Sequence, residues 1–361
     1  MDNYWPDRRI QDLLGIDLPI IQAPMAGAQG VELAIAVSEA GGLGSLPCAL
    51  LSTEQTQAEI KNIRSQTQRP TNLNFFCHRE PVSDSEREAA WQKRLANYYT
   101  ELGLDPTMPL SKATRRPFDP AMCEIVESAK PEVVSFHFGL PEKKLLARVR
   151  ATGAKILSSA TTGDEAQWLE DHGCDAIIAQ GSEAGGHRGM FLSNDAFTQV
   201  GTMALVPQVV DAVKVPVIAA GGIADARGIV AAFALGAAAV QMGTAYLLCP
   251  EARIAHVYRE SLKQIKDSQT ALTNVFTGRL ARGIVNRLVR EVGPISDLAP
   301  AFPLASSAVA PLRATSEKAG SPDFAQMWSG QSRRLCQELP AGELTKKLAE
   351  EARVKWKGAR Q

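Results

Sequence analysis

The chain has 361 residues, 45% of them apolar and 22% charged, which suits one large globular enzyme domain with a smaller appendage. Lys+Arg and Asp+Glu number 39 each, so no net field gathers polyanions, and nucleic acid is excluded as a partner. Six scattered cysteines without a C-x-x-C pair argue for a reducing compartment, and no apolar run approaches the roughly 20 residues that cross a bilayer, so the expectation is a soluble, cytoplasmic protein.

The N-terminus carries no apolar signal region. From Leu18 onward, short β-branched runs alternate with amphipathic stretches, as in a parallel α/β sheet. Strands are predicted at 19–22, 44–46, 72–75, 133–136, 155–158, 176–179, 215–219 and 238–241, with helices at 31–40, 53–64, 142–151, 163–171 and 225–235. Several helices run into a glycine that can take the left-handed C-cap, as at Gly41, Gly153, Gly173 and Gly236. Eight such units predict a closed (β/α)8 TIM barrel. Two segments break the repeat: a polar, helix-rich insert at 77–118, and the chain after about 270, where helical patterns mix with a Pro/Ala/Ser-rich stretch. The expected division is a barrel of 10–76 and 119–270 under a mostly helical lid of 77–118 and 271–361. The mildly basic stretch 346–360 is interrupted by Glu350 and Glu351 and is read as a solvated helix face.

Chemistry is expected at the C-terminal ends of the strands. The first ends in Gln22-Ala23-Pro24-Met25-Ala26-Gly27, which puts small residues and a methionine at the mouth; Pro24 has no N–H, and the backbone N–H and carbonyl of Met25 are expected to be free for a ring edge, with Ala23, Pro24 and Met25 as candidate cofactor contacts. In the third, alternation sets Asn72 and Asn74 on one side, and Asn74 is a candidate donor to a heterocycle. Phe75 and Phe76 are expected to supply apolar walls, and His137, after the fourth strand, is a candidate for the pocket. His78, His172 and His256 read as surface or core residues.

After the sixth strand comes Gln180-Gly181-Ser182-Glu183-Ala184-Gly185-Gly186-His187-Arg188-Gly189, with four glycines in nine residues. Such a loop lets backbone approach a ligand, and His187 on it can titrate near neutrality and reach a substrate. The seventh unit, Val215 to Ala226, is an apolar strand, the double glycine Gly221-Gly222 and a helix start. Its bare N–H groups and helix N-terminus suit an anion. The eighth ends in Gln241-Met242-Gly243-Thr244, so both loops that commonly hold phosphate in a barrel are glycine turns. There is no metal-like set of His, Cys or carboxylates, no G-x-S-x-G elbow and no dinucleotide fingerprint after the first strand.

Taken in order, 19–27, 72–76, 180–189, 220–223, 241–244, 277–284 and 327–331 resemble the nitronate monooxygenases, formerly called 2-nitropropane dioxygenases. The likeness runs from about residue 10 to 335, with Gly185-Gly186-His187 its most specific part. It implies FMN as cofactor. Met25, Asn74 and Gln180 would meet the ring or ribityl part, while Gly185, Gly186, Gly221, Gly222 and Gln241 to Thr244 would hold the ribityl chain and phosphate. It implies His187 as the active-site histidine, and an alkyl nitronate such as propionate 3-nitronate oxidised with O2 to a carbonyl compound and nitrite. His187 would either stabilise the nitronate oxygens or take the α-proton of a nitroalkane. Arg188, or Arg115 from the insert, would bind a substrate carboxylate. The same motifs fit the FMN- and NADH-dependent enoyl-[acyl-carrier-protein] reductases, which the insert and Trp328-Ser329-Gly330-Gln331 disfavour. A non-catalytic flavin- or phosphate-binding protein would have no need of His187. The assembly stays open, with a homodimer as the candidate.

Overall fold

Each barrel strand of the computed structural model is buried along its length, because its inward side chains fill the barrel and its outward ones meet a ring of helices. Residues 5–111, 115–266 and 268–358 are described. The first half of the chain runs α1 (Arg9–Leu14), β1 (Ile20–Gln22), α2 (Val31–Glu39), β2 (Gly44–Pro47), α3 (Thr53–Gln66), β3 (Thr71–Phe76), α4 (Ser85–Glu101), α5 (Pro120–Ala129), β4 (Val133–His137) and α6 (Lys143–Ala151). It continues through β5 (Lys155–Ala160), α7 (Gly163–Asp171), β6 (Ala176–Gln180), β7 (Gly186–His187), α8 (Thr202–Ala212), β8 (Val217–Ala220), α9 (Ala226–Ala234) and β9 (Ala239–Met242). The remainder is α10 (His256–Gln264), β10 (Thr270–Thr273), β11 (Ala281–Ile284), α11 (Arg287–Val292), α12 (Ala305–Lys318) and α13 (Ala341–Gly358).

Eight parallel strands form one sheet in the order β1-β9-β8-β6-β5-β4-β3-β2, and a parallel bridge between Ile21 and Leu43 joins its two ends. The protein is therefore the expected (β/α)8 barrel, with each predicted strand within a few residues of an observed one. Helix α1 plugs the N-terminal end, where Ile10 and Leu14 pack on Ile21, Leu157, Ile178 and Ile218. Side-chain caps set several helix starts: Ser52 in a capping box on α3, Asp119 ahead of Pro120 on α5, Thr162 on α7 and Asp225 on α9.

A second hydrophobic cluster lies outside the barrel. Trp91, Leu95 and Tyr99 of α4 meet Val309 and Leu312 of α12 together with Phe324, and Trp91 Nε1 donates to the Ala305 carbonyl (3.2 Å). Two features depart from the expected lid. Residues 270–284 form a hairpin of β10 and β11, whose second strand pairs antiparallel with β7, placing Ala281 opposite His187. No apolar alternation marks Thr270-Ala-Leu-Thr or Ala281-Arg-Gly-Ile in the sequence, and the hairpin is carried by its antiparallel pairing and by the contact of β11 with β7. The last helix, α13, lies on the barrel, packing across α2 and α9 with Leu344, Leu348 and Ala352 in the main core. Residues 341–358 are thus corrected from lid to barrel, because their apolar face fits the outer surface of the first and last βα units. Among the described residues no helix is long and apolar enough to cross a membrane, and no group of three His, Cys, Asp or Glu could hold a metal.

Candidate functional site

The strand ends converge on a cavity of about 310 Å³ at the C-terminal mouth of the barrel. Ala23, Pro24 and Met25 reach it from β1, Asn74 and Phe76 from β3, and His137 from β4. Gln180 and the Gly185-Gly186-His187 run border it from the β6 side. Gly221, Gly222, Gln241, Gly243 and Thr244 complete the far wall.

That wall is an anion cradle. Gly221 and Gly222 have φ of 108° and 71°, a region where a side chain is strained, so glycine is needed to turn the chain here. Among the described residues, the N–H groups of Gly222, Ile223, Ala224, Gly243 and Thr244 donate to no protein atom, and all five residues line the cavity. Asp225 caps α9 just behind them, accepting from the N–H groups of Arg227 (2.9 Å) and Gly228 (3.3 Å). The segment 329–332 lies across the cradle. The Gly330 N–H donates to Thr244 Oγ1 (2.9 Å), Ser332 Oγ to the Gly222 carbonyl (2.6 Å) and the Gln331 N–H to the Glu183 carbonyl (3.1 Å). A Cβ on Gly185 would stand 2.6 Å from Gly330 N, so the two backbones can meet only without a side chain. Nearby, Gln241 Oε1 is buried with no hydrogen-bond partner among the described residues, an acceptor that costs about 1–3 kcal/mol if left unmet. Unpaired donors at one end and an orphaned acceptor beside them fit a phosphorylated molecule bearing hydroxyl or ring N–H donors, as FMN does.

His187 faces the cavity from β7. Its Nε2 lies 3.0 Å from Thr277 Oγ1, and Phe76, Phe138, Phe302 and Trp328 surround the ring at centroid distances of 5.2–6.3 Å. Burial, then the charges of Arg115 and Arg279 and the neighbouring imidazoles, holds its pKa well below the ordinary histidine value, so the ring is neutral near pH 7. Its carbonyl oxygen accepts from Gln180 Nε2 (3.0 Å) and lies 3.1 Å from His137 Nε2. Facing a carbonyl, His137 Nε2 carries the proton, and Nδ1 is left to accept from Ser159 Oγ at 3.1 Å. Burial lowers the His137 pKa to about 3, so His137 is a neutral strut under the loop.

The structure changes several expected roles. Phe75 points away from the mouth and packs edge-on against Phe118 at 4.8 Å, since β3 continues through Phe76 and alternation turns Phe76 inward with Asn72 and Asn74. Arg188 is fully buried beneath the loop and outside the cavity, with its guanidinium bonded to the carbonyls of Gln180 and Gly181 and to Gln199. Met242 also leaves the cavity, turned into the barrel–helix core between inward Gln241 and the turn at Gly243. The Met25 N–H and carbonyl are not free: they bond Gln29 Oε1 (2.9 Å) and the Ala28 N–H (3.0 Å). Asn74 lines the cavity with its amide nitrogen engaged by Ser135 (2.8 Å to Oγ), and Gln180 clamps the loop through His187 O and the Gly189 N–H (2.7 Å).

Other residues were not foreseen. Thr277 and Arg279 arrive on the β10–β11 turn, the latter stacked 4.0 Å over Phe138. Arg313, Gln326 and Trp328 reach the cavity from distant C-terminal segments, and Phe302 packs with Phe76 and Phe138 beside His187. Arg115 does line the cavity. It touches Gln326 Oε1 at 3.4 Å, and burial is the main cause lowering its pKa to about 10. Only the Thr277-to-Ile284 and Trp328 motifs gave any sign of these groups in the sequence.

A family model described as nitronate monooxygenase matches residues 7–351. The nitronate monooxygenase of Pseudomonas aeruginosa PAO1 is 43% identical over 347 residues, covering 96% of this chain and 99% of the relative. Among solved structures, a nitroalkane oxidase from Streptomyces ansochromogenes superimposes with a TM-score of 0.89 at 37% identity, over 98% of this chain and 99% of that one. FabK from Thermotoga maritima is more distant, with a TM-score of 0.74 and 28% identity, over 99% of each chain.

Proposed function

The chain belongs to the nitronate monooxygenase family, and on that footing we propose that it holds FMN in the barrel mouth and uses His187 as its reacting side chain. It is an oxidoreductase that oxidises nitronates. The observation carrying the proposal is the pairing of the unfilled N–H cradle with a buried neutral imidazole in one cavity.

When bound, FMN supplies the electron-accepting ring through which a nitronate and O2 become a carbonyl compound and nitrite. The N–H groups of 222–224 and 243–244 would hold its phosphate, with segment 329–332 across them. Gln241 Oε1 takes a donor from the ligand and orients it. The aromatic side chains around His187 keep water from the reacting atoms, as does the second core above them. Neutral His187 can accept a proton at its ring from the α-carbon of a nitroalkane, or hydrogen-bond a nitronate oxygen. Thr277 fixes which way Nε2 points. Arg115 and Gln326 Nε2, which has no hydrogen-bond partner among the described residues, lie on the lid side of the same cavity and favour an anionic substrate.

The test is direct. The purified protein should be yellow and release FMN on denaturation, and an alkyl nitronate under air should consume oxygen and form nitrite. Flavin without nitrite, together with NADH oxidation by an enoyl thioester, would move the assignment to the reductase. A protein that takes up no flavin would end it.

A further inference from the structure

Two buried guanidiniums hold three consecutive backbone carbonyls where β6 ends. Arg188 donates to the carbonyls of Gln180 and Gly181 (2.7 Å for the latter) and to Gln199 Oε1 (2.6 Å). Arg282, on β11, donates from Nε to the Ser182 carbonyl (2.7 Å) and from Nη1 to Thr270 Oγ1 (3.2 Å). Those acceptors are neutral, and neither arginine is in an ion pair among the described residues. Burial, and after it the Arg282 charge, brings Arg188 down to about 9, and burial likewise lowers Arg282.

One of the carbonyls they hold, that of Gly181, stands directly behind the anion cradle. Gly181 O is 3.0 Å from where a Cβ on Gly221 would lie. Among the described residues, the cradle offers N–H groups and hydroxyls but no lysine or arginine, and the Arg115 and Arg313 side chains that line the cavity come from the lid. One carboxylate is close behind it. Glu183, bonded to the Thr202 N–H and hydroxyl, brings side-chain atoms to 3.4–3.8 Å from a Cβ position on Gly222. The other acid near the pair, Glu165, is held by Thr161 and by the N–H groups of Phe191 and Leu192. A phosphate dianion in the cradle would sit before one negative and two positive charges, in a region where solvent screens little.

We propose that Arg188 and Arg282 are the counter-charge for the cofactor's phosphate, acting through the loop they hold and outweighing Glu183 behind it. The inference rests on the FMN assignment above. It makes the cradle selective for a phosphorylated flavin without a cationic side chain touching the phosphate, and leaves the mouth free for backbone contacts.

Riboflavin, which lacks only the phosphate, provides the control. FMN and riboflavin are titrated separately onto flavin-depleted full-length protein and onto two variants, with flavin fluorescence as the readout. Arg282→Met keeps the size of the side chain and removes its charge. It should weaken FMN on the order of tenfold while leaving riboflavin nearly unchanged. Glu183→Gln should do the reverse, raising the preference for FMN over riboflavin. Equal weakening of both ligands in Arg282→Met, or an unchanged preference in Glu183→Gln, overturns the proposal by reducing the arginines to a structural clamp. If Arg282→Met does not fold, the sign of the Glu183→Gln effect decides alone. Unaltered protein that binds neither flavin would overturn the FMN assignment itself, whereas normal FMN binding with flat ratios overturns only this inference.

Discussion

His187 Nε2 and Thr277 Oγ1 stand 3.0 Å apart across ninety residues of sequence, so the turn between β10 and β11 decides the orientation of the imidazole. Replacing His187 with Asn keeps a polar side chain there but removes the ring base. We expect nitrite formation to fall roughly 10²–10⁴-fold while the flavin spectrum persists. Full turnover in that variant would remove His187 from the chemistry.

A second expectation concerns pH. His187 must be neutral to accept a proton, and burial with the nearby arginines sets its pKa well below the ordinary 6.5. The neutral form, and the activity, should be lost only as pH falls through that lowered value. A profile of kcat/KM against pH should therefore be flat through 6.5. An inflection at 6.5 would place His187 in a wetter setting than the structure gives it.

Acid should also loosen the fold. Burial lowers His78 to about 4 and His137 to about 3, so between those values and 6.5 the unfolded chain binds protons that the native one does not. Stability contributed above pH 6.5 is lost as the pH falls. At pH 5 each imidazole removes at most about 2 kcal/mol. Thermal melts from pH 7.5 to 5 should show a falling Tm, shallower in His137→Gln; parallel curves would contradict this account.

The neighbours Phe75 and Phe76 should separate stability from activity. Phe75→Ala opens a hole between barrel and helices and should cost about 3–5 kcal/mol in denaturant unfolding, with kinetics little changed in the folded fraction. Phe76→Ala removes an aromatic wall beside His187 and should raise KM or lower kcat. Interchanged phenotypes would mean that the inward register of β3 is wrong.

Gly185→Ala should weaken flavin binding, because its Cβ would collide with Ser329 and Gly330 and push segment 329–332 off the cradle. Flavin dissociation measured by fluorescence should speed up by an order of magnitude or more, with the barrel's circular dichroism intact. Unchanged retention would show that the segment shifts without strain.

Much of this was legible because the barrel repeats a simple code. Apolar runs such as 155–158 and 176–179, each followed by a turn, announced the strands, and the glycines at 221–222 and 243 announced the cradle by the backbone freedom they provide. What escaped had physical causes. Arg188 beside His187 reads as a substrate ligand, but successive side chains along the β7 run point to opposite sides, and the carbonyls of Gln180 and Gly181 that receive its guanidinium are set by a loop no local pattern places. Of the two phenylalanines expected to wall the pocket, only Phe76 does so, because β3 runs on through Phe76 and alternation turns Phe75 to the outer face. The wall formed by Phe302, Arg313 and Trp328 depends on contacts between distant segments, which no local pattern encodes.

The helix that crosses α2 and α9 has a bearing on how the protein is made. α13 follows every strand of the barrel in synthesis, yet it packs on α9 and α2 over the junction where the last strand, β9, meets the first, β1, and its Thr345 hydroxyl meets the Tyr246 hydroxyl at 2.8 Å. Until residues 341–358 leave the ribosome, the apolar surface that Leu344, Leu348 and Ala352 cover over α2 and α9 stays open. In the cell, the interval before α13 docks is when the chain is most exposed to proteases and most in need of a chaperone.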